Sequence, residues 1–392
     1  MRVLHWYPNF LGGGAVANTV RMLASAQSEL GADVRIMAAE TTRPPLYAML
    51  KTPSVPVLPW RPRWTVKMGR IAVRGVPNSA KSEIARFKPD VVHIHGEFNP
   101  DNLWVPKLVD VPVVLSPHGG LHALTLAKGR ALAKRLYLRV ASRRLFRHVS
   151  AFHALSPIER KDIERLFPSA PVYSAPNGIN VGVAGHLQLA QRCEEDAVRL
   201  VFLGRLAIHA KGIDILLDAL AIVKSQLSVP KFMLKLIGPD QSNGSDWILR
   251  RAVELEIADC VMCTGIVSAD RAAEHLRESD IYVHLARREA FSLAVAEALG
   301  LGKPAVVSNK VGAVSYPEIS SLPYVRVVAP DAKAAACALV EMIKGLDVLA
   351  RVGPQCAPNV ADFFCWERAA KIHLETYQKI GAGADQFCSR RC

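Results

Sequence analysis

A chain of 392 residues, half of them apolar, is too long for one ordinary core and predicts two domains of roughly 150–200 residues each. It has no run of about 18 uncharged apolar residues, which excludes a membrane-spanning helix, and its opening MRVLHWYPNF lacks a signal peptide's apolar core and cleavage site, so a cytoplasmic enzyme is expected. The net charge of +14 is carried by residues 1–180, with 25 basic and 11 acidic residues against 24 of each in the rest, and it points to anionic partners: phosphates, an acidic lipid surface or nucleic acid.

In chain order, residues 2–6 read as a short apolar strand, followed by a loop holding Gly12-Gly13-Gly14. Residues 15–30 have helical spacing and stop at Gly31, and 33–38 are strand-like. Residues 41–80 read as irregular, rich in Pro, Arg and Trp. A turn and a strand occupy 88–95, with His93 and His95 sharing a face. A further strand at 111–115 ends in Ser116-Pro117-His118-Gly119-Gly120. Residues 130–146 form a strongly basic helix, 151–155 a strand and 157–166 a helix. Pro176-Asn177-Gly178 reads as a turn and as the domain boundary.

The alternation then restarts. Strands are predicted at 198–203, 232–237, 261–264, 281–285 and 304–308, and helices at 213–226, 245–256, 269–278 and 291–299. Short strands separated by helices predict parallel sheets covered on both faces. The expected fold class is therefore α/β, with two doubly wound domains facing across a cleft and ligands beyond the carboxyl ends of the strands. The expected domains are 1–178 and 179–362, then a segment 363–380 and a disordered tail at 381–392.

Several residues can carry chemistry. Gly12-Gly13-Gly14 lies between a strand and a helix, where amides approach a ligand closely and the helix start favours an anion. Gly12-x-Gly14-x-x-Ala17, with Glu40 beyond, also fits a dinucleotide fingerprint, but Pro8-Asn9-Phe10-Leu11 separates the glycines from the strand. Arg205 and Lys211 flank the loop after the second half's first strand and suit a diphosphate. Amides near Ala290, Phe291, Ser292 and Leu293 open a helix and can receive a phosphate. Glu289 lies just before that helix and Glu297 about two turns along it, where a carboxylate accepts bonds from vicinal sugar hydroxyls. His118 sits at a strand's carboxyl end, ready to meet a ligand. His93 reads as core or cleft wall and His95 as cleft lining, without a third metal ligand at useful spacing. Cys260-x-x-Cys263 lacks a second pair and reads as buried free thiols.

The order of these pieces resembles the family 4 retaining nucleotide-sugar glycosyltransferases, which have the GT-B fold. The matching stretches are GGGAVANTV, SPHGG, SPIERKDI, PNGI, FLGRLAIHAKGIDILLDAL, LIGPD, TGIV, DIYVHLARREAFSLAVAEALGLGKPAVVSN and CWERAAKIHLETYQKI. The resemblance covers residues 1 to about 380 and is weakest in 41–90. It implies two Rossmann-like domains, an N-terminal one for the acceptor and a C-terminal one for the nucleotide sugar, with the helix at 363–380 crossing back to the first. Arg205 and Lys211 match the pair that binds the donor diphosphate. Glu289 and Glu297 match the E-x7-E acids that hold the transferred sugar and the ribose. Gly13 and Gly14 match the loop bordering phosphates and acceptor, and His118 matches the histidine near the reacting carbon. Ala290 and Ser292 stand where the family often has glycine, and Val311-Gly312-Ala313-Val314 replaces a glycine pair.

The expected reaction transfers a sugar from a nucleoside-diphosphate sugar to a hydroxyl of a glycan or lipid-linked acceptor, with retention and in bacterial surface polysaccharide synthesis. No cofactor is expected. The sequence has no Asp-x-Asp, so no metal bridging the phosphates is expected either. An anionic membrane surface, at the inner face, is a candidate partner. Lys51, Arg61, Arg63, Lys67, Arg70 and Arg74 mix with Tyr47, Trp60 and Trp64, and Lys128, Arg130, Lys134, Arg135, Arg139, Arg143, Arg144 and Arg147 follow. The competing readings are a sugar-nucleotide epimerase of GT-B fold, an NAD-dependent dehydrogenase and a nucleic-acid-binding protein. No aromatic-interleaved nucleic-acid motif supports the last, so nucleic acid is not an expected partner.

Overall fold

The computed structural model of the chain describes residues 1–40, 55–68, 71–127, 131–180, 197–226 and 231–388. They form two compact units, Met1–Gly178 with Cys365–Cys392, and Ile179–Phe364.

The first unit opens with β1 (Arg2–Trp6), α1 (Ala15–Glu29), β2 (Asp33–Ala39), β3 (Val57–Trp60), β4 (Thr65–Met68), β5 (Ile71–Arg74) and α2 (Asn78–Phe87). It continues through β6 (Val91–His95), α3 (Val105–Leu108), β7 (Val113–Ser116), α4 (Ala123–Ala127), α5 (Ala131–Leu136), α6 (Ser142–Phe146), β8 (Val149–Ala154), α7 (Pro157–Leu166) and β9 (Val172–Ser174). Seven strands make one parallel sheet in the order β3-β2-β1-β6-β7-β8-β9, with β4 and β5 apart as an antiparallel pair. The sheet is buried on both faces, which is why β6 is apolar or histidine throughout. Ser156 caps α7, its Oγ accepting from the Glu159 amide at 3.2 Å, and Pro157 fits the first turn because it has no amide to satisfy.

The second unit contains β10 (Val198–Leu203), α8 (Ile208–Lys211), α9 (Ile213–Gln226), β11 (Phe232–Ile237), α10 (Gly244–Glu254), β12 (Val261–Gly265), α11 (Ala269–Glu278) and β13 (Ile281–His284). Then come α12 (Leu293–Gly300), β14 (Ala305–Ser308), α13 (Pro317–Ser320), β15 (Val325–Val328), α14 (Ala332–Lys344) and α15 (Leu346–Phe363). Its six parallel strands run β12-β11-β10-β13-β14-β15, so the winding reverses between β10 and β13. The last helix, α16 (Trp366–Cys388), belongs to the first unit and packs on α1, where Ala370 meets Leu23 and Ala26.

The structure differs from the sequence expectations in several places. The stretch expected to be irregular holds β3, the β4–β5 pair and the start of α2. Its strands are four residues long and β3 carries Pro59, which an edge strand tolerates, so no alternation signals them. Trp60, expected at an interface, is core and stacks on Trp6 with ring centroids 6.2 Å apart. The basic helix is interrupted by a π-wound turn, Tyr137–Ala141, between α5 and α6. The segment expected to be disordered from 381 continues α16 as far as Cys388. The described cysteines at 260, 263, 337, 356 and 365 are free, but none is buried. Tyr47, Lys51, Arg70, Lys128 and Arg130 lie outside the described residues.

Candidate functional site

In the second unit, chemistry gathers where the winding reverses, beyond the carboxyl ends of β10 and β13. Gly212 holds the α8 loop against the end of β13: it has φ +66°, and a Cβ there would come within 1.9 Å of the Leu285 carbonyl oxygen. Arg287 adds a clamp, donating to the His209 carbonyl at 2.8 Å and to Asp214 at 2.7 Å. This docking brings the Lys211 ammonium into an ion pair with the Glu289 carboxylate, both largely shielded from solvent. Glu289 is fixed through its backbone as well. Its amide donates to Lys310 at 3.0 Å and its carbonyl accepts from Gly312 at 2.9 Å. The Ala313 amide donates to the Phe291 carbonyl at 2.9 Å, so the loop after β14 spends two amides on holding the Glu289 segment.

α12 begins at Leu293 rather than 291, with Ser292 as its cap and the Ser292 Oγ accepting from Val295 at 3.5 Å. Ala290, Phe291 and Ser292 therefore form the approach to the helix, and Glu297 lies about one turn inside it, not two. Burial pushes the Glu297 carboxyl up to about 7. Arg205 is exposed and stands apart from the ion pair, donating to Gln241 at 3.1 Å. The sequence reading missed His284. It ends β13 fully buried, with Nδ1 3.2 Å from the Tyr282 hydroxyl and Nε2 4.0 Å from Glu289. Among the described residues its Nε2 has no hydrogen-bond partner. Burial, then the Lys211 charge, holds its ring well below the usual histidine range.

In the first unit, Gly13 and Gly14 turn the chain into α1 at φ +72° and +95°, conformations open to glycine, and Gly14 is the helix cap. Here a short 3-10 turn, Phe10–Gly12, precedes them, which is not the direct strand-to-helix turn of a dinucleotide site. A cavity of about 350 Å³ lies nearby, lined among others by Tyr7, Asn9, Arg74, His95 and His118. Arg74, expected on a membrane-facing surface, instead pairs with buried Asp101 at 2.5 Å and holds Asn9 at 3.2 Å. His118 sits at φ +52°, unusual for a residue with a side chain, and Gly119 follows at +82°. Glu159 pins this loop: its carboxylate accepts from the Gly119 amide at 2.5 Å and the Leu155 amide at 2.8 Å. Burial raises that carboxyl to about 7 despite the two amides.

Behind the cavity lies a cluster of histidine rings that sequence reading did not assemble. Register places His5 beside His93, and His95 beside Ser116. His5 lies 2.8 Å from Gln27 and 2.9 Å from His95, and His95 lies 3.0 Å from His118. His93 lies 2.6 Å from both the Tyr377 and Ser116 hydroxyls, and Ser116 lies 2.7 Å from His153. Burial lowers His5 and His153 to about 4 and His118 to about 3, with His93, His95 and His373 well below the usual range. His5, His93 and His95 also bring ligand nitrogens within 4.8 Å of one another, the grouping among the described residues nearest to a metal centre. Every one of those six ring nitrogens already has a partner in the cluster, so they do not fit a bound ion. The signal available in the sequence was four histidines in three mostly apolar strands, one each in β1 and β8 and two in β6, and each alone reads as core.

Comparison with known proteins gives consistent results. A family described as glycosyl transferase 4-like domain matches residues 14–178, and one described as glycosyl transferases group 1 matches residues 190–344. The α-monoglucosyldiacylglycerol synthase of Streptococcus pneumoniae is 22% identical over 319 residues, 77% of this chain and 68% of its own. The phosphatidyl-myo-inositol mannosyltransferase of Mycobacterium leprae is 22% identical over 393 residues, 95% of each chain. Among solved structures, sucrose-phosphate synthase from Thermosynechococcus elongatus matches with a TM-score of 0.75 at 18% identity, over 98% of this chain and all of its own. An Anabaena protein solved with UDP and glucose matches at 0.72 and 16% identity, over 97% of this chain and all of its own.

Proposed function

The chain belongs to the family 4 glycosyltransferases of GT-B fold, and we infer that it moves a sugar from a nucleoside diphosphate to a hydroxyl acceptor, with retention and without a metal ion. The observation that carries this reading is the Lys211–Glu289 pair at the point where the second unit's winding reverses. In open α/β sheets that point is where ligands bind. Lys211 is assigned to the donor diphosphate, with Arg205 turning from Gln241 to join it. The amides around Ala290, Phe291, Ser292 and Leu293, where α12 begins, are assigned to the same phosphates. Glu289 is assigned to hydroxyls of the transferred sugar and Glu297 to those of the ribose. Gly13, Gly14 and His118 of the first unit are assigned to the acceptor side and the reacting carbon.

As the bond to the leaving diphosphate breaks, its oxygens gain charge. Cations and amides fixed in advance stabilise that charge without reorganising. The reaction is read as a front-face displacement, in which the leaving phosphate oxygen takes the acceptor's proton.

A lipid-borne acceptor is favoured by the names of the two relatives, a glycolipid synthase and a phosphatidylinositol mannosyltransferase. It is favoured too by a cavity of about 760 Å³ in the first unit. Leu138, Phe146, Leu166 and Phe167 line it, together with Arg135, Arg139, Arg143 and Arg147, spaced four apart. Those four arginines form no ion pair among the described residues, and Leu132 beside them is 81% exposed. We assign this face to the headgroup region of an anionic membrane.

The test is a thermal-shift panel of UDP, GDP, ADP and their sugars. A ligand binding only the folded state at 100 times its Kd adds about 2.7 kcal/mol, which is readily seen. The expected result is one nucleotide series that stabilises, unchanged by EDTA, and product of unchanged anomeric configuration by NMR. No shift with any of them, or turnover of the sugar nucleotide with no acceptor present, overturns the reading.

A further inference from the structure

We propose that Gln27, His5 and His95 are positioning residues that lock His118 in the Nε2–H tautomer, so that it offers its cavity a bare Nδ1 acceptor for a sugar hydroxyl. The inference rests on the reading of His118 as part of the sugar site, and it adds the chemistry of what His118 can hold.

Direction enters the network at one fixed point. The Ala175 carbonyl can only accept, so His153 donates to it from Nε2, at 2.8 Å. A neutral His153 then has a bare Nδ1, which must accept from the Ser116 hydroxyl at 2.7 Å. Ser116 has one proton, so its oxygen accepts from His93 Nε2–H at 2.6 Å. The bare His93 Nδ1 accepts from the Tyr377 hydroxyl at 2.6 Å. With its proton committed, the Tyr377 oxygen accepts from the Gln27 amide nitrogen, at 3.4 Å. That orients the amide so that its Oε1 accepts from His5 Nε2–H at 2.8 Å. His5 Nδ1 accepts from His95 Nε2–H at 2.9 Å, and His95 Nδ1 accepts from His118 Nε2–H at 3.0 Å.

Each step requires a neutral ring, and burial supplies that condition by lowering His5, His93, His95, His118 and His153. The other groups against the network agree with it. His373 Nδ1 lies 2.7 Å from the Tyr173 hydroxyl and 3.4 Å from the Tyr377 hydroxyl, which leaves the direction set by Ala175 unchanged, and Glu159, the carboxylate holding the His118 loop, is spent on backbone amides. Nδ1 of His118 has no partner among the described residues, and the residue lines the cavity. A bare nitrogen accepts from a hydroxyl and repels a phosphate oxygen. The ligand group that meets His118 is therefore a hydroxyl.

The test is a long-range 15N–1H correlation spectrum of the full chain labelled at histidine, with His118 assigned by comparison with His118→Gln. The expected result is a neutral Nε2–H His118 from pH 8 to pH 5.5, unmoved by inorganic phosphate or pyrophosphate. His5→Phe removes the acceptor for His95, and the opposite His118 tautomer is then expected to appear. An Nδ1–H or charged His118 in the wild-type protein overturns the proposal, as does zinc bound in stoichiometric amount. So does a tautomer indifferent to His5→Phe. The spectrum needs no sugar nucleotide, so its failure is separate from failure of the ligand panel.

Discussion

Ser292 has φ +78° and ψ +96°, a conformation that costs a residue with a side chain about 1–3 kcal/mol. Glycine would relieve that strain and lose only a few tenths of a kcal/mol as a helix cap. Ser292→Gly is expected to stabilise by about 1 kcal/mol, read as a rise in Tm; a fall would mean the loop is not strained. Lys211 and Glu289 answer one another across the same loop. Lys211→Ala and Glu289→Ala are each expected to cut turnover by about two orders of magnitude or more, measured with the sugar nucleotide that the panel identifies. Near-normal kcat in either variant contradicts the assigned roles. These residues were legible because their spacing sits inside a long motif. His284 was not, because one histidine ending an apolar strand looks like core until its neighbours are known.

At the scale of elements, the strand-and-helix alternation was readable wherever strands are long and buried, as in β10 and β11. It failed where short edge elements obey other rules, as in β3 to β5. The gathering of histidines at strand ends was also hidden, since it depends on register between strands distant in sequence. It carries a pH signature. His5, His118 and His153 have folded pKa values of about 4, 3 and 4, below the unfolded value near 6.5. Their contribution to stability is complete above about 6.5 and is lost as pH falls through those folded values. Glu159 acts the other way. Raised to about 7, it gives stability that is complete below the unfolded value near 4.5 and is lost as pH rises. Six lowered histidines against two raised carboxyls, Glu159 and Asp101, decide the sign for this unit. Urea midpoints are expected to fall steadily from pH 6.5 towards pH 4, with a shallower fall in His153→Phe. A flat or rising midpoint would show the rings are not held neutral.

Over the whole molecule, charge divides as the sequence count implied, with the basic excess in residues 1–180. Part of that excess is spent internally, as with Arg74 and Asp101. Among the described residues, the ladder from Arg135 to Arg147 is not. Each such cation near an anionic leaflet contributes about 1 kcal/mol before screening. The double variant Arg139→Ala, Arg143→Ala is therefore expected to weaken partition onto phosphatidylserine vesicles by about 2 kcal/mol, roughly thirtyfold, in co-sedimentation at low salt. Equal binding of the wild-type chain to neutral and anionic vesicles would remove the membrane assignment.

The first unit is assembled from both ends of the chain, because α16 supplies Tyr377 and His373 to its interior. On the ribosome, its opening segment must therefore wait while all of 179–364 is translated. The later-made unit can finish first, leaving an unfinished nascent sheet exposed to chaperones until α16 has been translated.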